Sequence, residues 1–88
     1  MYFVYMIKNN QNDLYVGITD NPNRRLAEHN GGIGANFTKS HYLFSIVFLE
    51  EHENSSSARK REIQIKKWRR DKKEMLIEFY KKGIQTIK

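Results

Sequence analysis

The spacing of apolar residues changes from strand-like to helix-like along this 88-residue chain, and the polar stretch "HENSSS" marks the change. Before it lie three runs rich in β-branched and aromatic residues, at positions 2–7, 14–19 and 43–50. The first two are separated by "KNNQND", whose Asn and Asp content is typical of a turn, so they predict a β-hairpin. The third, "LFSIVFLE", is the most apolar run and is predicted to form the central strand.

A short helix is predicted between the second and third strands. Asn21 offers an N-cap oxygen, Pro22 suits the first helical position, and Asn30-Gly31 provides a stop about two turns later. The glycine-rich stretch "GGIGANFTKS" that follows is predicted to be a loop with a helical turn near residues 35–39.

Two more helices are predicted after residue 54. Ser55 or Ser56 is a suitable N-cap for a helix that runs to about Trp68. Asp71 with Glu74 three positions later resembles a capping box. The apolar face of the last helix would consist of Met75, Leu76, Phe79 and Tyr80.

The element order ββαβαα favours an α+β fold with a small three-stranded sheet, antiparallel or mixed, covered on one face by helices. A chain of this length has a single core, so residues 1–88 are expected to form one domain. Cysteine is absent, which excludes disulfides, Cys-ligated zinc and a thiol nucleophile. No signal peptide or membrane-spanning run is evident, and a monomeric, cytoplasmic protein is therefore expected.

The net charge of +6 is unevenly distributed. Residues 1–54 contain four Lys and Arg against six acids, whereas residues 55–88 contain twelve against four. Such a one-sided basic surface favours a polyanion, usually nucleic acid, although the same charges also suit a solvated helix face. The cluster predicted to hold a nucleic-acid backbone is Lys66, Lys67, Arg69, Arg70, Lys72 and Lys73. Trp68 within it could stack on a base, but at the helix end it is better explained as part of the core.

Glu62 lies where an apolar residue is expected. On a helix, Ala58, Glu62 and Ile65 share the stripe that packs against the sheet. A carboxylate in such a position needs a cationic partner, which can be a metal ion or a neighbouring base. At helical spacing the available bases are Arg59 and Lys66.

Two tyrosines and two basic residues form a second candidate group. Tyr5 and Tyr15 are an even number of residues apart, so one hairpin register would place them opposite each other, with Gly17 leaving room on the same face. Arg25 and His29 share a helix face, and their side chains suit phosphate binding and proton transfer. Ordinary cross-strand packing and a solvated helix face, with an Arg24–Glu28 ion pair, are the alternatives.

Taken in order, these residues resemble the GIY-YIG nuclease family. "Phe3-Val4-Tyr5" stands where the family has its first motif and "Tyr15-Val16-Gly17" where it has the second, followed by Arg25, His29 and Glu62. The likeness covers nearly the whole chain and is greatest to small bacterial members related to the catalytic domain of the UvrC excision nuclease. The first motif departs from the family in lacking its glycine.

The resemblance implies metal-dependent hydrolysis of a DNA phosphodiester, in DNA repair or in the processing of branched or damaged DNA. Glu62 would bind one Mg²⁺ or Mn²⁺, Arg25 would stabilise charge on the phosphoryl group, and Gly17 would have a structural role. Tyr5 is the candidate general base, with Tyr15 orienting the water or phosphate and His29 relaying a proton, although these three roles are interchangeable at this stage.

Two other functions fit the same residues. A non-catalytic module could use the fold and the basic surface to bind DNA or structured RNA, and a protein-interaction subunit could activate or target a separate enzyme. A larger repair complex could recruit the protein to its substrate. The intact set of five family positions favours catalysis over both. His41, His52 and Thr38 receive no role, and the loop at residues 37–40 is expected to border the cleft.

Overall fold

The computed structural model describes residues 1–31 and 43–86, so the predicted helical turn near residues 35–39 and the loop at 37–40 lie outside the described residues. The element order ββαβαα is confirmed. The bounds are β1 Tyr2–Lys8, β2 Leu14–Thr19, α1 Pro22–Gly31, β3 Ser45–His52, α2 Ser55–Lys66 and α3 Arg70–Lys81. Within the described residues no helix has the length and apolar character needed to cross a membrane.

The sheet is antiparallel throughout, with the strand order β2-β1-β3. The expectation that the third strand is central was wrong, because β1 pairs with both neighbours and β3 occupies an edge. The β1–β2 hairpin uses one side of β1, so the apolar third strand returns to the other side. The β1–β3 register shifts between Met6 and Ile7.

The core lies on one face of the sheet, where α2 and α3 pack. Val4 and Met6 of β1 and Phe48 of β3 alternate toward this face. The helices cover them with Ala58, Ile65, Leu76 and Ile77. Trp68 is partly buried against this core, as predicted, and the Lys72 ammonium lies 4.2 Å from the centre of its ring.

The prediction that helices cover one face of the sheet describes α2 and α3, whereas α1 lies on the other face. Tyr5, Tyr15 and Gly17 alternate with the core residues and therefore lie on the opposite face. There the ring of Tyr15 contacts His29 of α1 at a centroid distance of 5.2 Å. Only Asp20 and Asn21 separate β2 from α1, so α1 starts directly beside the edge strand and lies on the side that α2 and α3 leave open.

The helix starts are partly as predicted. The Oδ1 atom of Asn21 accepts a hydrogen bond from the backbone N–H of Arg24 at 3.1 Å, and α1 begins at Pro22. The N-cap of α2 is Asn54 rather than Ser55 or Ser56, because Asn54 is extended and its side chain accepts from the Ser57 N–H at 2.9 Å. This helix ends at Lys66, before Trp68.

The predicted capping box of α3 does not form. Glu74 instead accepts hydrogen bonds from Lys8 Nζ at 2.7 and 2.9 Å and from Arg70 Nε at 2.8 Å. The hydrogen bond from Lys8 is the main cause that lowers the pKa of Glu74. The carboxylate is therefore used in an ion pair between β1 and α3 and not in a cap at the start of α3. Leu76 and Ile77 are the buried residues of α3, whereas Met75, predicted on the apolar face, is about half exposed.

Glu50 is a buried carboxylate that connects three parts of the fold. Arg61 of α2 donates from Nε to Oε1 at 2.9 Å and from Nη2 to Oε2 at 3.2 Å. Thr86 donates to Oε2 at 2.7 Å, and Nε2 of His52 lies 3.1 Å from Oε1. Burial alone raises the pKa of Glu50, but the hydrogen bonds from Arg61, Thr86 and His52 outweigh it and hold the pKa below its ordinary value.

Glu50→Gln should make the protein less stable and less sensitive to acid. Because the pKa of Glu50 is lower in the folded chain than in the unfolded chain, its stabilising contribution is complete above about pH 4.3 and disappears as the pH falls through the folded value. We expect a loss of about 3 kcal/mol in the free energy of unfolding at pH 7, because Arg61 keeps a buried charge without its partner.

Urea unfolding followed by circular dichroism at pH 7 and pH 3.5 measures both effects. Glu51→Gln removes an exposed acid from the same strand and serves as the control. Identical pH dependence in wild type and Glu50→Gln would contradict the assignment of acid sensitivity to Glu50.

Candidate active site

The hairpin register determines how the two tyrosines are placed. Tyr5 pairs with Gly17 and Tyr15 pairs with Ile7. The register that would place the tyrosines directly opposite each other is therefore not the one that forms, although they share a face. The last pair is Lys8 with Leu14, which leaves a loop of five residues between the strands. The side chain of Asn9 organises this loop by accepting hydrogen bonds from the N–H groups of Gln11 and Asp13, each at 3.0 Å.

The space beside Gly17 is filled by the ring of Tyr5. A Cβ atom on Gly17 would lie 2.7 Å from the Tyr5 hydroxyl oxygen and 2.8 Å from Cζ, closer than real contacts allow. The predicted open gap at Gly17 is therefore a packing site for Tyr5, which is 8% exposed. The absence of a side chain at Gly17 lets the buried phenol lie flat across the neighbouring strand.

A cleft of about 310 Å³ lies along β2, the outer strand of the sheet. It is bordered by α1 on one side and by α2 on the other. The cleft is lined by all five candidate catalytic residues predicted from the sequence: Tyr5, Tyr15, Arg25, His29 and Glu62. Two further bases, Arg59 and Lys66, line the cleft on the α2 side.

Arg25 lines this cleft, and its side chain is about half exposed. The neighbouring Tyr5 hydroxyl, followed by Glu28, raises the pKa of Arg25 above its already high ordinary value, so the guanidinium is fully charged. Its Nη1 atom lies 3.4 Å from Glu28 Oε1. The predicted Arg24–Glu28 pair is long at 3.9 Å, because Arg24 binds Asp20 at 2.8 Å. Arg24 is thus held by another partner, and Arg25 is the arginine of α1 that lines the cleft.

His29 is held in an aromatic cluster that sequence reasoning did not identify. Its ring packs edge-on against Phe44 with the centroids 4.6 Å apart, and Phe44 also contacts Tyr15 at 5.4 Å. Asn30 fixes Phe44 by accepting from its N–H at 2.8 Å and donating to its carbonyl at 3.1 Å. The sequence shows an aromatic residue just before β3, but it gives no sign that this residue pairs with Asn30 or contacts His29.

Glu62 is 6% exposed and lies between two cations of its own helix. Lys66 Nζ is 3.1 Å from Oε2, and Arg59 Nη1 is 3.7 Å from Oε1. Both of the salt bridges that the sequence offered as the alternative to a metal are therefore formed. Glu62 is the one carboxylate among the described residues that line the cleft.

The donor set of the cleft suits Mg²⁺ or Mn²⁺ only in part. Within residues 1–31 and 43–86 there is no group of three His, Cys, Asp or Glu side chains that could enclose a metal ion. Mg²⁺, however, keeps several waters in proteins and is usually bound by one or two carboxylates together with substrate phosphate. A single carboxylate at the wall of an open cleft fits that mode of binding.

The predicted basic cluster is dispersed in the structure. Of its six members only Lys66 lines the cleft. Arg70 binds Glu74 and donates to Asn12 on the β1–β2 loop at 2.8 and 3.0 Å, and Lys72 stacks over Trp68. Arg69 lies 3.7 Å from Asp71. The remaining two, Lys67 and Lys73, do not border the cleft.

Comparison with known proteins identifies the fold around this cleft. Residues 1–75, which contain all five cleft residues, match the GIY-YIG catalytic domain. The chain belongs to the GIY-YIG family. Members of this family are nucleases, and the five residues that the resemblance singled out in the sequence all line the cleft of this GIY-YIG domain.

Small proteins of the same family are similar over nearly their whole length. A UPF0213 protein of Staphylococcus haemolyticus is 39% identical over 77 residues, which cover 88% of this chain and 94% of that protein. A UPF0213 protein of Staphylococcus aureus is 41% identical over 76 residues, with 86% and 93% covered. The solution NMR structure of a UPF0213 protein from Bacillus halodurans matches with a TM-score of 0.57 and 29% identity, covering 90% of this GIY-YIG chain and 85% of that one.

Gly17→Ala should displace the Tyr5 ring, because the added methyl group would overlap its hydroxyl end. Overpacking of this kind typically costs about 1–3 kcal/mol of stability. Aromatic NMR shifts of Tyr5 and a urea unfolding curve measure the two effects. In the control, Gly31→Ala, the added methyl group would meet no described atom within 4 Å. Unchanged Tyr5 ring shifts in Gly17→Ala would contradict the contact.

Proposed function

We propose that this protein is a metal-dependent endonuclease that hydrolyses phosphodiester bonds in branched or damaged DNA. The observation that carries the proposal is the convergence of Tyr5, Tyr15, Arg25, His29 and Glu62 on one open cleft. These residues come from two strands and two helices, and general packing gives no reason for polar side chains from all four to meet. The open shape suits an extended backbone better than a small enclosed substrate.

Glu62 would hold one Mg²⁺ or Mn²⁺. When bound, such an ion neutralises negative charge on the phosphate and on the leaving oxygen. The carboxylate contributes one ligand at the wall of the cleft. Because the surrounding cleft is open, water and substrate oxygens can complete the coordination.

Arg25 would bind the phosphoryl oxygens opposite Glu62. A planar guanidinium matches two oxygens of a phosphate and is always charged, and its neighbour Tyr5 raises its pKa further. Stabilising charge that develops during attack is usually the largest single contribution to catalysis. We therefore assign to Arg25 the stabilisation of the negative charge that develops on the phosphoryl group in the transition state.

Tyr5, acting in its phenolate form beside the Arg25 guanidinium, would accept the proton of the attacking water and so become the neutral phenol. It lies beside Arg25 and is held across Gly17, so its oxygen has a defined position in the cleft. Tyr15 would orient the water or the phosphate, because half of its surface is exposed. The ring of His29, supported by Phe44, would relay the proton to solvent.

Glu62→Gln should abolish metal-dependent cleavage and leave DNA affinity within a few-fold, because it removes an ion ligand while keeping the side-chain shape. Purified protein is incubated with labelled duplex, single-stranded, flapped and forked DNA in Mg²⁺, Mn²⁺ or chelator, with structured RNA as a further substrate. The control is Glu78→Gln, which removes an exposed acid on α3 away from the cleft. Binding of the panel without cleavage in any metal would instead indicate a non-catalytic binding module.

Arg25→Ala should lower the cleavage rate by about 10²–10³ while changing affinity little, because its interactions strengthen only in the transition state. Arg25→Lys should recover little of the rate, since an ammonium cannot reproduce the planar fork. Single-turnover cleavage and equilibrium binding are measured on the same DNA. Arg24→Ala, on the same helix but paired with Asp20, is the matched control. Small and equal losses in rate and affinity, repaired by lysine, would contradict this role.

A further inference from the structure

The negative charge of Glu62 is balanced by two cationic side chains that are exposed enough to move away from it. Its carboxylate is only 8% exposed, whereas the side chains of Lys66 and Arg59 are 53% and 65% exposed. Each cation faces a different carboxylate oxygen, Oε2 for Lys66 and Oε1 for Arg59. Both partners are one helical turn away on α2, so neither depends on any other element for its position.

A divalent cation on Glu62 would compete with the ammonium of Lys66 for the same carboxylate. Lys66 Nζ lies 3.1 Å from Oε2, so an ion bound to the same carboxylate would lie close to the ammonium, and the two like charges would repel each other. The long, half-exposed lysine can swing into solvent or toward a phosphate at little cost, because it lines the open cleft. Arg59 is farther away at 3.7 Å and is expected to interfere less.

We propose that Lys66 is an internal counter-ion for Glu62, which the catalytic metal ion must displace. This inference rests on the proposed function, since it takes Glu62 as the metal ligand. Lys66 keeps the buried carboxylate paired in the metal-free protein and lowers its affinity for the metal. Lys66 is thus a positioning residue that acts through Glu62.

Lys66→Met should raise the affinity of the metal-free protein for Mn²⁺ by about fivefold, which corresponds to removing ~1 kcal/mol of ion pairing. The 88-residue protein is titrated with Mn²⁺ alone, without DNA, and the paramagnetic broadening of backbone amide NMR signals near Glu62 gives the affinity. Lys66→Arg retains the charge and should stay near the wild-type value.

The control is Lys60→Met, which removes the same charge from the same helix at an exposed position two residues before Glu62, on another face. It separates local competition from a general change in electrostatic potential. Glu62→Gln tests the metal site itself by the same measurement.

Tighter Mn²⁺ binding in Lys66→Met than in Lys60→Met, with broadening lost in Glu62→Gln, supports the proposal. If Lys66→Met binds no more tightly than Lys60→Met while Glu62→Gln still loses the broadening, the metal site stands and the counter-ion role is overturned. If Glu62→Gln is broadened like the wild type, the ion does not bind Glu62, and the metal assignment in the proposed function fails together with this inference.

Discussion

The contact between the Tyr5 ring and the bare backbone of Gly17 is the constraint on which the candidate site depends. It exists only because the β1–β2 register places these two residues opposite each other. The five-residue loop, organised by Asn9, sets that register. With Tyr5 lying across the outer strand, its hydroxyl contacts Arg25, and the cleft forms between α1 and α2.

The two buried acids of this fold show how differently a carboxylate can be stabilised. Glu50 is paired with Arg61, Thr86 and His52, which come from separate elements and hold it from several directions. Such a network ties β3, α2 and the C-terminal segment together. Glu62 lies 12 positions later in the chain, and its partners within residues 1–31 and 43–86 are exposed side chains of its own helix. The first arrangement is structural, whereas the second leaves the acid available to a ligand in the cleft.

In the aromatic cluster and among the basic residues, some side chains line the cleft and others hold neighbouring parts of the fold in position. Asn30 and Phe44 hold the His29 ring without lining the cleft themselves. Arg70 and Lys72, which appear in the sequence as part of one positive cluster, instead fasten α3 to the hairpin loop and to Trp68. Among the residues that the structure describes, those that bring positive charge to the cleft are Arg25, Arg59 and Lys66.

Local patterns in the sequence determined the element order, the start of α1 at Asn21 and Pro22, and the core stripe of α2. Each of these depends on neighbours within one turn or on a simple alternation, which a linear sequence displays directly. The family motifs likewise identified the five cleft residues, because their order along the chain is preserved.

Only the tertiary structure decided which strand is central, which residue faces Gly17, and which charges remain near the cleft. The sequence predicts a capping role for Glu74, but its carboxylate forms an ion pair with Lys8, 66 positions away. Phe44 and Asn30 show no relation in the sequence and meet only because the chain just before β3 passes the end of α1. Such long-range pairings depend on the folded positions of several elements at once, and spacing along the chain carries no record of them.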